Sequence, residues 1–169
     1  TVIGYLYYDH DSITSVAIPK SVMYISSDAF KDCSSLTSIV IPEGVIEIGS
    51  DAFWGCTSLK SIVIPESVKE IGNFAFHGCT SLTDVIFPKK TALIRKGTFE
   101  GCTSLESIVI PENVRVIDPY VFHGCTSLKN IVIPKFQANA KYIADSLEEK
   151  EREEFSRMKV IKLHKTKAD

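Results

Sequence analysis

Five cysteines, Cys33, Cys56, Cys79, Cys102 and Cys125, are each separated from the next by 23 residues. A chain that meets the same residue at a fixed interval of roughly 20 to 50 positions is a stack of like units, a solenoid, propeller or array. The same period runs through Pro19, Pro42, Pro65, Pro88, Pro111 and Pro134, through Leu36, Leu59, Leu82, Leu105 and Leu128, and through Phe30, Phe53, Phe76, Phe99 and Phe122. Aligned on the cysteines, the unit reads Cys-Thr-Ser-Leu-x-x-Ile-Val-Ile-Pro-Glu-x-Val-x-x-Ile-Gly-x-x-Ala-Phe-x-Gly, without insertions. Extended backwards, the frame places Tyr7 in the Phe slot, His10 in the Cys slot and Ile13 in the Leu slot. The sequence therefore opens in mid-repeat, as expected of a processed fragment or of a solenoid without an N-terminal cap. No leader pattern stands at its start, which decides little for a chain that opens in this way.

Each slot has a physical task. In "SIVIP", alternation sends Ile62 and Ile64 to one face and Ser61 and Val63 to the other, the period of a short strand. Pro65 cannot donate to a ladder and ends it. "SVKEIG" then supplies a second apolar pair, Val68 and Ile71, before a turn at Gly72, and "NFAFHG" brings Ala75 and Phe76 inward. One coil cannot enclose these groups. Stacked coils bury them as ladders with a rise of about 4.8 Å.

These residues resemble the BspA-like, or treponemal-type, leucine-rich repeat, whose pattern runs Cys-x-x-Leu-x-x-Ile-x-Leu-Pro-x-x-Leu-x-x-Ile-Gly-x-x-Ala-Phe. The resemblance covers residues 1 to 134. It departs locally: Thr91 replaces the apolar residue after Pro88, Thr98 replaces Ala, Phe87 replaces the strand Ile, and "RKG" at 95 to 97 loses the Ile-Gly pair, so a less regular coil is expected there. The resemblance implies an α/β-type repeat solenoid, curved and right-handed, with short parallel strands. It also implies a secreted or surface-attached protein that adheres to host or matrix proteins or to other cells, and no catalytic residues.

Phase is lost at Gln137. The segment 135 to 169 carries "DSLEEKEREEFSRMKVIKL", with Ser146 and Glu149 as a capping box and Ile143, Leu147, Phe155, Met158 and Ile161 near helical spacing. This predicts a C-terminal amphipathic helix, either a cap over the last coil or a linker or pairing helix. The mixed-sign run Glu148 to Glu154 reads as a solvated face.

The net charge of -2 gives no concentrated basic surface for nucleic acid. No apolar run approaches the roughly 20 residues of a membrane-spanning helix. Cysteines in one slot of adjacent coils point the same way about 4.8 Å apart rather than converging, so free, buried thiols are expected. A linear ladder cannot surround zinc, and no metal or cofactor is implied. Two residues before each cysteine, Lys31, Trp54, His77, Glu100 and His123 form an edge row. His77, Glu100 and His123 have metal-ligand chemistry, but the histidines stand two coils apart, about 10 Å, and would have to lean inward over Glu100 to grip a metal; the alternative is a polar exposed ladder. Trp54 is either a surface aromatic open to a partner or packed on a neighbouring coil. No phosphate loop, G-x-S-x-G or H-E-x-x-H occurs, and Ser58, Ser81, Ser104 and Ser127 are repeat residues expected to satisfy backbone groups.

The outward strand residues make a stripe: Ala17, Val40, Val63, Ile86, Val109 and Val132. Beside it run Ser15, Ser38, Ser61, Asp84, Ser107 and Asn130, too short to shield it. Such a strip is a protein-binding face, or its β-branched residues serve sheet propensity alone. The expected function is a non-enzymatic protein-binding module of an adhesin-like surface protein. The alternative is a structural spacer, favoured by the near-identity of the outward residues.

Overall fold

The computed structural model describes residues 1–4, 10–134 and 159–163. Among the described residues thirteen strands, numbered in chain order, fall into two rows. The first row holds β2 (Ser15–Ala17), β4 (Ser38–Val40), β6 (Ser61–Val63), β8 (Asp84–Ile86), β10 (Ser107–Val109), β12 (Asn130–Pro134) and β13 (Lys159–Leu163). The second holds β1 (Val2–Ile3), β3 (Tyr24–Ile25), β5 (Glu47–Ile48), β7 (Glu70–Ile71), β9 (Leu93–Ile94) and β11 (Val116–Ile117). All pairing is parallel, and the register between successive coils equals the sequence period, with Ser15 opposite Ser38, Ser61 opposite Asp84 and Ser107 opposite Asn130. The first row is hydrogen-bonded as β2-β4, β6-β8 and β10-β12-β13. The second row was not expected. The segment equivalent to "VKEI" at 68 to 71 ends each coil's turn in two residues of strand, because stacking places its backbone beside the same segment of the next coil.

Turns between the rows follow from proline and from left-handed residues. Val22, Val45, Val68, Thr91 and Val114 each donate a backbone N–H to the carbonyl of the preceding proline, three positions back, at 3.0 to 3.2 Å. Two further slots per coil have positive φ. One is Asp28, Asp51, Phe74, Gly97 and Tyr120, the other Asp32, Gly55, Gly78, Gly101 and Gly124.

The core is a set of ladders. Phe30, Phe53, Phe76 and Phe99 are fully buried, and Phe122 nearly so. Their rings stack with centroids 5.2, 5.3, 5.7 and 6.4 Å apart from the first pair to the last. The leucines of the repeat slot, Leu36 to Leu128, and the five cysteines are buried in the same core. All five cysteines are free. Four of them also donate: the Sγ of Cys56, Cys79, Cys102 and Cys125 lies 3.1 to 3.2 Å from the carbonyl oxygen of Phe30, Phe53, Phe76 and Phe99 respectively. The cysteine is thus a small apolar residue with a donor, which alanine is not. Coil-to-coil hydroxyl bonds come from threonine: Thr57 to the Ser34 carbonyl, Thr80 to that of Thr57 and Thr103 to that of Thr80.

The irregular coil is present, and its cause is narrower than the sequence indicated. Ile94 keeps the Ile slot, buried and opposite Ile117. Only the glycine is lost, to Arg95. A Cβ at Gly49 or Gly72 would collide with the backbone of Ser27 or Ser50 on the preceding coil. Ser26 and Asp118 carry a Cβ in the same slot and still make the regular bond, so the Cβ does not by itself set the break at Arg95. The bonds from Ser26 to Ile3, Gly49 to Ile25, Gly72 to Ile48 and Asp118 to Ile94 recur at 2.8 to 2.9 Å, and the series breaks at Arg95. At this point the second row splits into β1-β3-β5-β7 and β9-β11. Arg95 bridges the seam by an ion pair with Glu70. Thr91 and Thr98, though buried, are satisfied by the carbonyls of Pro88 and Arg95. Phe87 packs edge-on against Phe99 with centroids 5.6 Å apart.

No α-helix occurs among the described residues, so the arcs between strands are turns and the α/β-type expectation is corrected to a β-solenoid. Ile161, assigned to the C-terminal helix, stands in β13, which pairs with β12 in the register Val132 opposite Ile161. The strand edge left by β12 offers backbone partners that a helix at this point would leave unused. The rest of the expected helix, including Ser146, Glu149 and Phe155, lies outside the described residues.

Candidate functional site

The strand face places the predicted stripe in solvent. In each three-residue strand the middle side chain enters the core, as Ile62 and Ile108 do, and the flanking two point out. Val40 is 79% exposed, Val63 57%, Ile86 59% and Val109 54%. Ala17 is exposed and Val132 half-buried. Register aligns Val40 with Ala17, Val63 with Ile86, and Val109 with Val132. Ser61, Asp84 and Ser107 are exposed beside them. Asp84 accepts a 2.7 Å hydrogen bond from the Thr83 hydroxyl. The result is a parallel-sheet face with an apolar centre line and a short polar border.

Trp54 lies away from this face, half-buried in the edge row. Its indole stacks on the His77 imidazole, centroids 3.9 Å apart, and the Lys31 ammonium stands 5.2 Å from its ring centroid. Lys31 also pairs with Asp28 at 3.0 Å, and that hydrogen bond holds its ammonium above the usual lysine range. The carboxyl of Asp51, in the same region, is raised by burial. Glu100 meets the Nδ1 of His123 at 3.1 Å. The row therefore divides into a Lys31–Trp54–His77 stack and a Glu100–His123 pair rather than a convergent ligand set. Among the described residues no group of three or more histidine, cysteine or acidic side chains is placed to hold a metal ion.

The sequence reading missed three residues that enlarge this edge. Phe74 packs 5.9 Å from Trp54 and 6.0 Å from His77, Tyr120 lies edge-on to His123 at 5.9 Å, and Lys96 reaches over both Phe74 and Tyr120. The signal was present: in a slot that begins Asp28, Asp51, two later copies are aromatic.

Stacked 23-residue coils with leucine and phenylalanine ladders and a parallel-strand face define a leucine-rich-repeat solenoid. The chain belongs to the BspA-type leucine-rich repeat family, whose model matches residues 1–129 in 6 copies. The model of a second family, the D subunit of ATP synthase, matches residues 126–163, a short stretch overlapping the last coil. No curated protein matches significantly. Among solved structures, a leucine-rich repeat protein of T. pallidum is 32% identical with a TM-score of 0.71, over 78% of this chain and 62% of that one. One from Bacteroides ovatus is 32% identical, TM-score 0.60, over 80% and 43%. A leucine-rich cell surface protein of Faecalibacterium prausnitzii is 27% identical, TM-score 0.64, over 92% and 49%. The chain thus spans less than two thirds of each of these relatives. The leucine-rich repeat is a common protein-interaction fold, and among the described residues no helix is long and apolar enough to cross a membrane.

Proposed function

We propose that this chain is a non-catalytic protein-binding module of a cell-surface or secreted adhesin-like protein, and that it binds through the exposed strand face. The observation that carries this reading is the row Val40, Val63, Ile86 and Val109, each more than half exposed on the strand face. Apolar strips of this continuity are uncommon on soluble surfaces and mark interaction sites. The partner this face fits is a protein, host or matrix, offering an apolar surface with polar edges to meet Ser61, Asp84 and Ser107. A surface location is supported by the similarity to a leucine-rich cell surface protein.

A second reading, a spacer that carries another domain, is favoured by one observation. The outward residues are nearly identical from coil to coil, whereas energetic hot spots concentrate in a few distinctive side chains. Replacing Val63 and Val109 by lysine and measuring attachment to a panel of immobilised matrix proteins separates the two. Loss of attachment by a folded variant supports the face, and full retention supports the spacer.

A further inference from the structure

In a repeat this regular, the informative slots are those whose chemistry changes from coil to coil. The left-handed turn slot reads Asp28, Asp51, Phe74, Gly97 and Tyr120, with φ between 55° and 64°. Glycine and aspartate are ordinary occupants of that region, while a bulky aromatic side chain there is strained. Strain at a turn whose other copies avoid it points to a use for the side chain. Phe74 and Tyr120 are the two strained copies, and Gly97 lies between them in the stack. Having no side chain, Gly97 lets the Phe74 ring lean across it: a Cβ there would overlap two ring carbons, and a carboxylate oxygen of Glu100 comes within 3.1 Å of the same position. The Lys96 ammonium stands over both rings, 6.0 Å from the Phe74 centroid and 5.3 Å from that of Tyr120. His77 and His123 buttress the rings edge-on.

Two aromatic rings about one ammonium, with the Glu100 carboxylate bonded to His123 beside the same turn, have the chemistry that recognises an organic cation. Ring quadrupoles and the carboxylate attract positive charge, and a weakly hydrated guanidinium or alkylated ammonium loses little on leaving water. We propose that Phe74 and Tyr120 form a binding slot for a guanidinium or alkylated ammonium group, with the His123-bonded Glu100 carboxylate beside it, and that Lys96 of the chain itself occupies it when no ligand is bound. Lys96 is exposed on a flexible stem, and its compact, strongly hydrated ammonium is the weaker ligand. The slot lies in the turns of the coils rather than on the strand face, so it stands or falls independently of the protein-binding reading.

The test is a proton NMR titration of the whole chain with tetramethylammonium chloride and, separately, with acetyl-arginine methylamide. The neutral analogues tert-butanol and acetyl-citrulline methylamide serve as controls. Saturable shifts of the Phe74 and Tyr120 ring signals are expected with the cations and not with the neutral molecules. Tighter binding of tetramethylammonium assigns the slot to an alkylated ammonium, and tighter binding of the arginine compound assigns it to a partner polypeptide's guanidinium. Phe74→Asn suits the left-handed turn and should keep the fold while weakening cation binding about tenfold, and Lys96→Ala should tighten it about threefold. Equal response to the neutral analogues, unchanged affinity in Phe74→Asn, or no saturable shift in either the wild type or Lys96→Ala overturns the proposal.

Discussion

Cys79 donates its thiol hydrogen to the carbonyl of Phe53 across 3.2 Å, tying the cysteine of one coil to the aromatic spine of the coil before it. The bond explains why a residue that looks like filler recurs at every turn. Burial pushes the Cys79 thiol well above its ordinary value of 9.0, and burial followed by the nearby charges of Asp32 and Asp11 pushes Cys33 up to about 11. A raised thiol stays protonated in the folded chain at a pH where the unfolded chain ionises. Its stabilising contribution is therefore intact below pH 9 and declines as pH rises beyond it. Denaturation midpoints should hold level from pH 7 to about 8.5 and fall steadily above 9. Thiol reagents should react slowly until denaturant is added. Rapid labelling of the native protein at neutral pH would contradict this account. Cys79→Ala should lose about 1 to 2 kcal/mol through the broken bond and the small void.

Phe76 sits between Phe53 and Phe99, with ring centroids 5.3 and 5.7 Å away. Truncation to alanine opens a cavity shared by both neighbouring coils and should cost about 3 to 5 kcal/mol. Because solenoid stability runs through neighbour interfaces, the damage should also uncouple the ends of the stack. Chemical denaturation should show a lowered midpoint with a broadened or two-step transition. A midpoint near that of the wild type would mean that the spine does not transmit stability.

Arg95 offers a test of what the missing glycine does. Arg95→Gly restores the residue that Gly49 and Gly72 place in this slot, and asks whether β9 then pairs with β7 as their coils pair, given that Ser26 and Asp118 make the equivalent bond without a glycine. The ion pair to Glu70 is partly exposed on both sides and worth little. Restored backbone bonds at about 0.5 to 1.5 kcal/mol each should offset the glycine's entropy cost of up to about 1 kcal/mol. The clear readout is hydrogen exchange: the amides of residues 92 and 95 should become protected. Unchanged exchange would place the cause of the seam elsewhere.

These elements differ in how legible they were. The core was readable because every copy of a slot must bury the same shape, so Leu82, Phe76 and Cys79 announce themselves by phase alone. The second strand row was not, since two-residue strands such as Glu70–Ile71 have too few positions to show alternation and exist only through their neighbours. Arg95 was misjudged because the loss of one glycine looked like the loss of a pair. At the edge, the row through Trp54 was visible by spacing, but Phe74 and Lys96 reach it from other slots, and linear periodicity cannot report contacts between slots. For β13, helical spacing over a charged segment competed with an open strand edge, and residues 159–163 follow the edge.

The strand face yields the functional prediction. Val63 and Val109 point away from the core and are more than half exposed, so lysine at both positions should change stability by no more than about 1 kcal/mol. Each strand keeps its inward residue, Ile62 or Ile108, and its backbone pairing. If an apolar partner covers the stripe, two ammonium groups would be buried against it without counter-charges, a penalty of about 2 to 5 kcal/mol each when unrelieved. Attachment should fall at least a hundredfold, a conservative reading of about 3 kcal/mol in total. Arginine or lysine at Glu66, which faces the turn after the strand and holds the Lys89 amide through its carboxylate, is the matched control for added charge. It should leave attachment within about threefold, a difference of under 1 kcal/mol. A doubly substituted protein that melts like the wild type and still attaches fully would remove the strand face as the binding site and leave the spacer reading standing.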